Sequence, residues 1–439
     1  MSVKVCKFGG TSLADAGQMR QVKGIVETDG DRRYVVPSAP GKRTPDDQKI
    51  TDLLYLCHEH AKQGISFDEV FNLISARYQQ IIDELGLNLD LGPKLDQVKS
   101  DLAAGASSDY AASRGEFLNG PIIAALLGYE FIDAAEIIHF DEHGRFDVDK
   151  TQESVAARLG QHERAVVPGF YGSMPDGTIK TFSRGGSDIT GAIVARGASA
   201  SVYENWTDVS GLLMTDPRVV DNPNPIDVIT YRELRELAYM GATVLHDEAI
   251  FPVRAAGIPV NIRNTNEPDN PGTQIVAETQ PVAHEKSISG IAGRKDFTVI
   301  GIEKALMNAE IGWARRVLSA LEDNEVSFEH MPSGIDTMSL VIADSELEDG
   351  KLDQVLEQIN VDCHPDRVHV YPHMALIATV GRGMAHTPGM AARLFAALAG
   401  AQVNVRMIDQ GSSELNIIVG VEADDFEKAV RAIYQAFVD

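Results

Sequence analysis

Four short segments concentrate the side chains able to do chemistry: KFGGTS (7–12), SRGEFLNG (113–120), SRGGSD (183–188) and NWTDVSGLLMTDPRVV (205–220). In the first, Lys7 precedes two glycines and two hydroxyls, the reverse of the GxxxxGK[ST] phosphate loop. Gly9 and Gly10 permit backbone angles closed to other residues and allow close approach of a ligand. Their amides, with those of Thr11 and Ser12 at an expected helix start, would face an anion, and Lys7 would aim at the same oxygens. The same residues also make an ordinary tight strand–helix turn with an exposed lysine, and this motif alone leaves both readings open. In SRGGSD, Arg184 offers a planar fork suited to carboxylate or phosphate. Asp188 reads either as a favourable first-turn carboxylate or as a group that orients a cation or an ammonium. Glu116 interrupts an apolar helical pattern: it belongs on a polar face or, in a pocket, beside a substrate amine. Thr207, Asp208, Asp216 and Arg218 crowd a turn-rich segment after a strand, a common place for function in α/β folds.

Two histidine patterns carry no chemistry. His58-Glu59-His60 has Lys62 where HExxH needs its second histidine, and His369/His373 lack carboxylate or cysteine neighbours. No metal site built from protein ligands is expected.

These segments need a scaffold. Over the first ~285 residues, runs such as VKVCKF (3–8), RYVVPSA (33–39), YEFIDA (129–134), RAVVPGF (164–170), ASVYENW (200–206) and IPVNIR (258–263) read as buried strands. Helical patterns such as 49–64 and 187–198 lie between them, which predicts a largely parallel sheet covered on both faces. Ligands then sit beyond the carboxyl ends of the strands, where KFGGTS, SAPGK (38–42), GFYGS (169–173) and SRGGSD fall. Residues 265–296 turn loop-like, and after them the chain repeats with an offset of 77: Gly312/Gly389, Ala314/Ala391, Arg316/Arg393, Leu321/Leu398, Val326/Val403 and Gly334/Gly411 all match. That register predicts two small α/β modules.

Composition narrows the function. With 439 residues the chain can hold two or three domains, and 44% hydrophobic with 23% charged residues is ordinary for a globular protein. A formal net charge of −25 argues against nucleic-acid and anionic-membrane partners. Cys6, Cys57 and Cys363 form no framework, and neither a spanning stretch nor a signal pattern is present, so a cytoplasmic location is expected.

Taken together and in this order, VxxCKFGGTS, SRGGSD, NWTDVxGLxMTDPR, GATVLH and a duplicated C-terminal module resemble the aspartate kinase family over essentially the whole chain. SAPGKRTPDDQKITDLL and LMNAEIGW…EHMPSGID are similar to the single-function, lysine-sensitive type without a fused dehydrogenase. The resemblance implies an amino-acid-kinase domain over 1–290 and two ferredoxin-like ACT domains over 298–370 and 371–439, the second borrowing a strand from about 297–303. It implies transfer of the ATP γ-phosphoryl group to the side-chain carboxylate of L-aspartate, with Mg²⁺ arriving with ATP. By resemblance Lys7 and Asp188 are catalytic. Ser38, Thr51, Glu116, Arg184, Gly186 and Ser187 hold aspartate, with Glu116 on its ammonium and Arg184 on its α-carboxylate. Lys7, Gly9, Gly10, Thr207, Asp208, Asp216 and Arg218 serve the nucleotide. Met307, Asn308, Gly312, Trp313, Ser327, Phe328, Glu329 and Ser333 would line an effector pocket for L-lysine, with L-threonine as the alternative effector; for Met307, Trp313 and Phe328 plain core packing is the competing reading. ACT pairing across subunits implies a homodimer or homotetramer.

Two positions depart from the family pattern. Thr243 stands where many relatives have lysine, and Asp247 follows His246 where proline is common. Competing functions are a related kinase acting on glutamate, carbamate or a nucleotide, and a non-catalytic amino-acid sensor; joint retention of Lys7, Glu116, Arg184 and Asp188 opposes the sensor. A dinucleotide-binding dehydrogenase is opposed by the lack of a GxGxxG after a strand.

Overall fold

The computed structural model describes residues 2–183, 185–242, 247–278 and 287–438, with backbone alone at 247–248. The chain divides into two compact units: Met1–Leu212, Pro225–Tyr231 and Val244–Val282 form the first, and Leu213–Asn224, Arg232–Thr243 and Ala283–Asp439 the second. Arg184 and Thr243 lie outside the described residues.

The first unit is built on an eight-stranded sheet. In chain order its strands are β1 (Lys4–Phe8), β2 (Arg32–Pro37), β3 (Glu130–Phe131), β4 (Ala165–Val166), β7 (Val202–Thr207), β8 (Val228–Thr230), β9 (Val260–Asn264) and β10 (Thr273–Val276); a separate hairpin pairs β5 (Tyr171–Ser173) with β6 (Ile179–Thr181). The spatial order is β8-β10-β9-β7-β1-β2-β4-β3, parallel throughout except where β9 meets β10. β1 is nearly all buried, as a central strand between covered faces must be. After β1 the chain goes to one side of it and returns as β7 on the other, which leaves a crevice at the carboxyl ends.

Helices α1 (Ala16–Glu27), α2 (Ile50–Lys62), α3 (Asp68–Leu85), α4 (Gly92–Ala103), α5 (Ser108–Leu127), α6 (Ala134–Ile137), α7 (Val148–Leu159) and α8 (Gly186–Gly197) belong to this unit. Ser107 caps α5, its hydroxyl accepting from Tyr110 N at 3.1 Å, and Gly128 ends it in a left-handed conformation. α5 is buried along most of its length, and its Leu118 and Ile122 pack in one core with Phe8, Val35 and Trp206 of the sheet and Ile74 and Tyr78 of α3. Each such side chain contributes roughly 1.5–3 kcal/mol on burial.

Beneath the crevice sits a buried charge cluster. Arg32 Nε lies 2.8 Å from Glu204 Oε2, which also accepts from Trp206 Nε1 at 2.9 Å and Cys6 Sγ at 3.3 Å. The Arg32 and Arg263 guanidiniums stack over the Trp206 ring at 5.2 and 4.5 Å. Burial together with the Glu204 charge pushes the Cys6 thiol well up, so it stays neutral and inert.

The second unit contains a five-stranded antiparallel sheet of β11 (Gly290–Glu303), β12 (Thr337–Ala343), β13 (Arg367–Val380), β14 (Met407–Asp409) and β15 (Asn416–Glu422), in the order β12-β11-β13-β15-β14. Two 14-residue strands serve both modules. The register of β11 against β13 shifts between Arg294 and Val299, and Asp296 and His373 have positive φ there, so one ladder becomes two. The segment that joins the second module is therefore Gly290–Arg294, paired with Leu376–Val380. Residues 297–303, expected to be the borrowed strand, pair with β12 in the first module. The repeat has a physical basis at its glycines. Gly312 (φ 80°) and Gly389 (φ 94°) precede α9 (Trp313–Asp323) and α11 (Met390–Gly400), and each starts its helix from a left-handed residue. α10 (Lys351–Cys363) and α12 (Phe426–Val438) complete the two modules.

Candidate active site

Parallel pairing puts the ends of three strands side by side, with Phe8 opposite Pro37 and Trp206. The turn after β1 is held by its neighbours: Gly9 N donates to Trp206 O at 3.0 Å and Ser38 N to Phe8 O at 3.1 Å. Contrary to the reading that begins a helix at Thr11, Thr11–Leu13 is a single 3₁₀ turn, and α1 starts later under its own cap, Asp15, which accepts from Gln18 N at 2.9 Å. A long helix dipole therefore does not stand behind Gly9 and Gly10. The glycine at position 10 is required for space, since its φ is −61° but a Cβ would meet Ala39 O at 2.9 Å.

SRGGSD does open onto a helix. Gly185 (φ 67°) precedes α8, and a Cβ there would meet the Ala249 Cβ at 2.6 Å. Asp188 in the first turn faces β1: its Oδ1 is 2.6 Å from Lys7 Nζ and accepts from Asn205 Nδ2 at 3.0 Å. Lys7 Nζ also reaches Asn205 Oδ1 at 3.5 Å. Lys7 is mostly buried, with its side chain 10% exposed, while Asp188 keeps 21%. The cluster thus pairs a cation and an anion on two elements, with an amide bridging both. Ser187 is buried against Gly169, where any side chain would collide with its hydroxyl.

Glu116 lies on the other wall. α5 presses on the loop after β2 so tightly that a Cβ on Gly115 would meet the Ala39 Cβ at 2.7 Å. Glu116 is buried, and that burial pushes its carboxyl up to about 8, despite the opposing Ala39 amide and the charges of Arg114 and Lys7. Its Oε2 is buried with no hydrogen-bond partner. One turn further, Asn119 donates to Ser38 O at 2.7 Å and leaves Oδ1 unmatched. Two unsatisfied oxygens on one buried helix face are suited to a donor-rich ligand.

Residues 2–264 match the amino acid kinase family, and residues 377–437 match an ACT domain. Aspartokinase 3 of Bacillus subtilis (strain 168) is 40% identical over 449 residues, covering 99% of this chain and 98% of that protein. The crystal structure of Clostridium acetobutylicum aspartate kinase is 58% identical with a TM-score of 0.94, covering 99% and 100% of the two chains. The chain belongs to the aspartokinase family. Aspartokinase III of E. coli, 27% identical and fully covered, has been solved with aspartate and ADP (R-state, TM-score 0.74) and with lysine and aspartate (T-state, TM-score 0.75).

Lys7, Gly9, Gly10, Ser38, Asp188 and Thr207 gather at the carboxyl ends of β1, β2 and β7, with Glu116 bonded to the neighbouring Ala39. Thr51 lies half-buried in the first turn of α2, and Gly186 in that of α8. Asp208 is exposed and accepts from the Thr207 hydroxyl at 3.3 Å. Asp216 and Arg218 group with the second unit, where they pair at 2.6 Å. Of the residues expected to line an effector pocket, Met307 and Trp313 pack in the first module's core, and Trp313 Nε1 donates to Cys363 O at 2.9 Å. Asn308, Gly312, Ser327, Phe328 and Ser333 are exposed, and Glu329 is half-buried.

Sequence reading missed Asn205, Asn119 and Phe170. Asn205 stood in the quoted NWTDV, and a polar side chain inside a buried central strand was the available signal. Phe170 takes φ 82° beside Gly186, held where its N–H donates to Thr190 Oγ1 at 2.9 Å. Such a conformation in a bulky residue is costly and clusters at functional sites.

Proposed function

We propose that the enzyme transfers the γ-phosphoryl group of ATP to the side-chain carboxylate of L-aspartate, giving 4-phospho-L-aspartate and ADP. This is the reaction that commits aspartate to lysine, threonine and methionine. The observation carrying the reading is the Lys7–Asp188–Asn205 cluster at the meeting point of the glycine turns. The acceptor carboxylate is ionised at neutral pH, so an oxygen can attack the γ-phosphorus without a general base. As that P–O bond forms, the bond to the β–γ bridging oxygen breaks and ADP leaves. The barrier is the approach of two anions, and fixed charges and positioning lower it.

Lys7 stabilises charge on the transferring group, the amides of Gly9 and Gly10 face phosphate oxygens, and Asp188 keeps Lys7 oriented. Mg²⁺ would arrive on the phosphates and neutralise them. Asp188, a partly exposed carboxylate, has the hard-oxygen chemistry to assist in holding it. Glu116 takes the aspartate ammonium, whose charge favours its ionised form, and Arg184 takes the α-carboxylate. Ser38, Thr51, Gly186 and Ser187 complete the aspartate site. Thr207 and Asp208 serve the nucleotide.

L-Lysine is the proposed effector, bound among the exposed residues of the first ACT module in a dimer or larger assembly and favouring a less active arrangement. The lysine-bound T-state of the E. coli relative supports this reading. A hydroxamate assay with aspartate and glutamate as acceptors, repeated with lysine, threonine and both, tests reaction and regulation together. Preference for glutamate overturns the acceptor, and indifference to both amino acids overturns the effector.

A further inference from the structure

Arg77 reaches the site from behind. It lies on α3, 6% exposed, and its guanidinium spans three separate backbone segments. Nη2 donates to Ala14 O at 3.1 Å and also to Gly41 O, while Nη1 donates to Gln48 O at 2.9 Å. Ala14 closes the turn that follows KFGGTS, Gly41 belongs to SAPGK, and Gln48 leads into α2 and Thr51. The fourth neighbour is Asp47, whose Oδ2 lies 3.3 Å from Arg77 Nη1 and 2.8 Å from Arg43 Nε.

The loops that Arg77 holds touch each other through bare backbone. Gly41 N donates to Gly10 O at 2.8 Å, and a Cβ on Gly41 would fall 2.5 Å from Gly10 C. A displacement of one loop is therefore passed to the other at van der Waals contact, and Arg77 sets the resting position of both. A guanidinium spreads its donors over a rigid plane and so reaches carbonyls on different sides, whereas the three donors of an ammonium radiate from a single nitrogen. A buried guanidinium is also no cheap source of stability, since apolar packing of equal volume often does as well. Its acceptors lie in loops outside the regular elements, where precise position matters to a ligand more than to the core.

We propose that Arg77 is a positioning residue that couples the nucleotide turn to the aspartate loop, so that occupancy of one orders the other. The proposal rests on the assignment of these loops to ATP and aspartate. The experiment compares wild type, Arg77→Met and Arg77→Lys in the full-length chain. It measures kcat, KM for aspartate and for ATP, Mg·ADP affinity with and without saturating aspartate, and recovery of rate on adding guanidinium. Arg77→Met is expected to lose roughly 10–100-fold in kcat/KM for both substrates, as a displacement near 1 Å does. The ratio of the two ADP affinities should fall towards one, and guanidinium should restore part of kcat. Arg77→Lys, which keeps charge and stem, should show the same loss of coupling with native circular dichroism; it carries the test if the methionine variant does not fold. A wild-type affinity ratio in either folded variant, or a change confined to one substrate's KM, overturns the proposal. If wild type prefers another acceptor, the functional reading fails first, and coupling is then measured with that acceptor.

Discussion

Lys7 Nζ stands 2.6 Å from Asp188 Oδ1, a contact between the central strand of the sheet and the first turn of α8. Each group supplies the other's counter-charge, and Asn205 bonds to both. Under the proposed function, this arrangement keeps a mostly buried ammonium solvated by protein until phosphate oxygens replace or share the carboxylate. Lys7→Met should lower kcat by about 10²–10³-fold, the scale seen when one preorganised charge-stabilising donor is removed. Adding Asp188→Asn should recover stability lost to the unpaired carboxylate without recovering rate. A coupled assay of ADP formation, read beside urea midpoints, separates the two effects.

Asn205→Leu keeps volume and removes both bonds from the bridging amide. The expected result is about a tenfold fall in kcat with a smaller change in either KM, since the loss is one of orientation. Stability should drop by roughly 1–3 kcal/mol, the cost of leaving buried polar partners unmatched. A variant with wild-type kcat would remove Asn205 from the machinery.

Glu116 predicts two pH effects. With its carboxyl raised to about 8 by burial, it is largely protonated at pH 7 in the unliganded enzyme, so KM for aspartate should fall as pH rises towards 8. Stability should move the other way. The folded state holds this proton more tightly than the unfolded chain, whose value is near 4.5, so this group's contribution is full at low pH and is lost progressively as pH rises to about 8. The slope is at most about 1.4 kcal/mol per pH unit. Urea titrations and aspartate KM at pH 5.5, 7 and 8.5 check both, and Glu116→Gln should flatten both trends.

Glu204→Ala leaves Arg32 buried without its carboxylate, and removing one partner of a buried pair costs about 3–5 kcal/mol. Glu204 and Asn205 are successive residues of β7 and so point to opposite faces. The variant should therefore show a much lower urea midpoint, while kcat per folded molecule stays within about twofold of wild type, as expected when the mutated group touches none of the reacting atoms. A large fall in kcat would place the charge cluster in the catalytic machinery.

Much of the fold was legible because its signals are local. The run VKVCKF reads as a strand and is one at Lys4–Phe8, and the 187–198 pattern is a helix at Gly186–Gly197. The 77-residue offset located two modules because Gly312 and Gly389 have the same backbone task. Other features depended on neighbours far along the chain. Whether Gly10 serves a left-handed turn or a close approach cannot be read from GGTS, because Ala39 and Gly41 decide it. Trp313 packs in the first module's core, a placement fixed by strands and helices far along the chain.

By itself the sequence determined the residue types at the site and their order, because periodicity, glycine placement and charge are properties of short segments. Tertiary structure alone decided the partnerships: Lys7 with Asp188 across 181 residues, Glu116 with Ala39, and Arg77 with three loops. Parallel pairing brings distant strand ends to one edge, and burial there changes what a carboxyl or an ammonium can do. Neither proximity nor desolvation is a property of any residue alone.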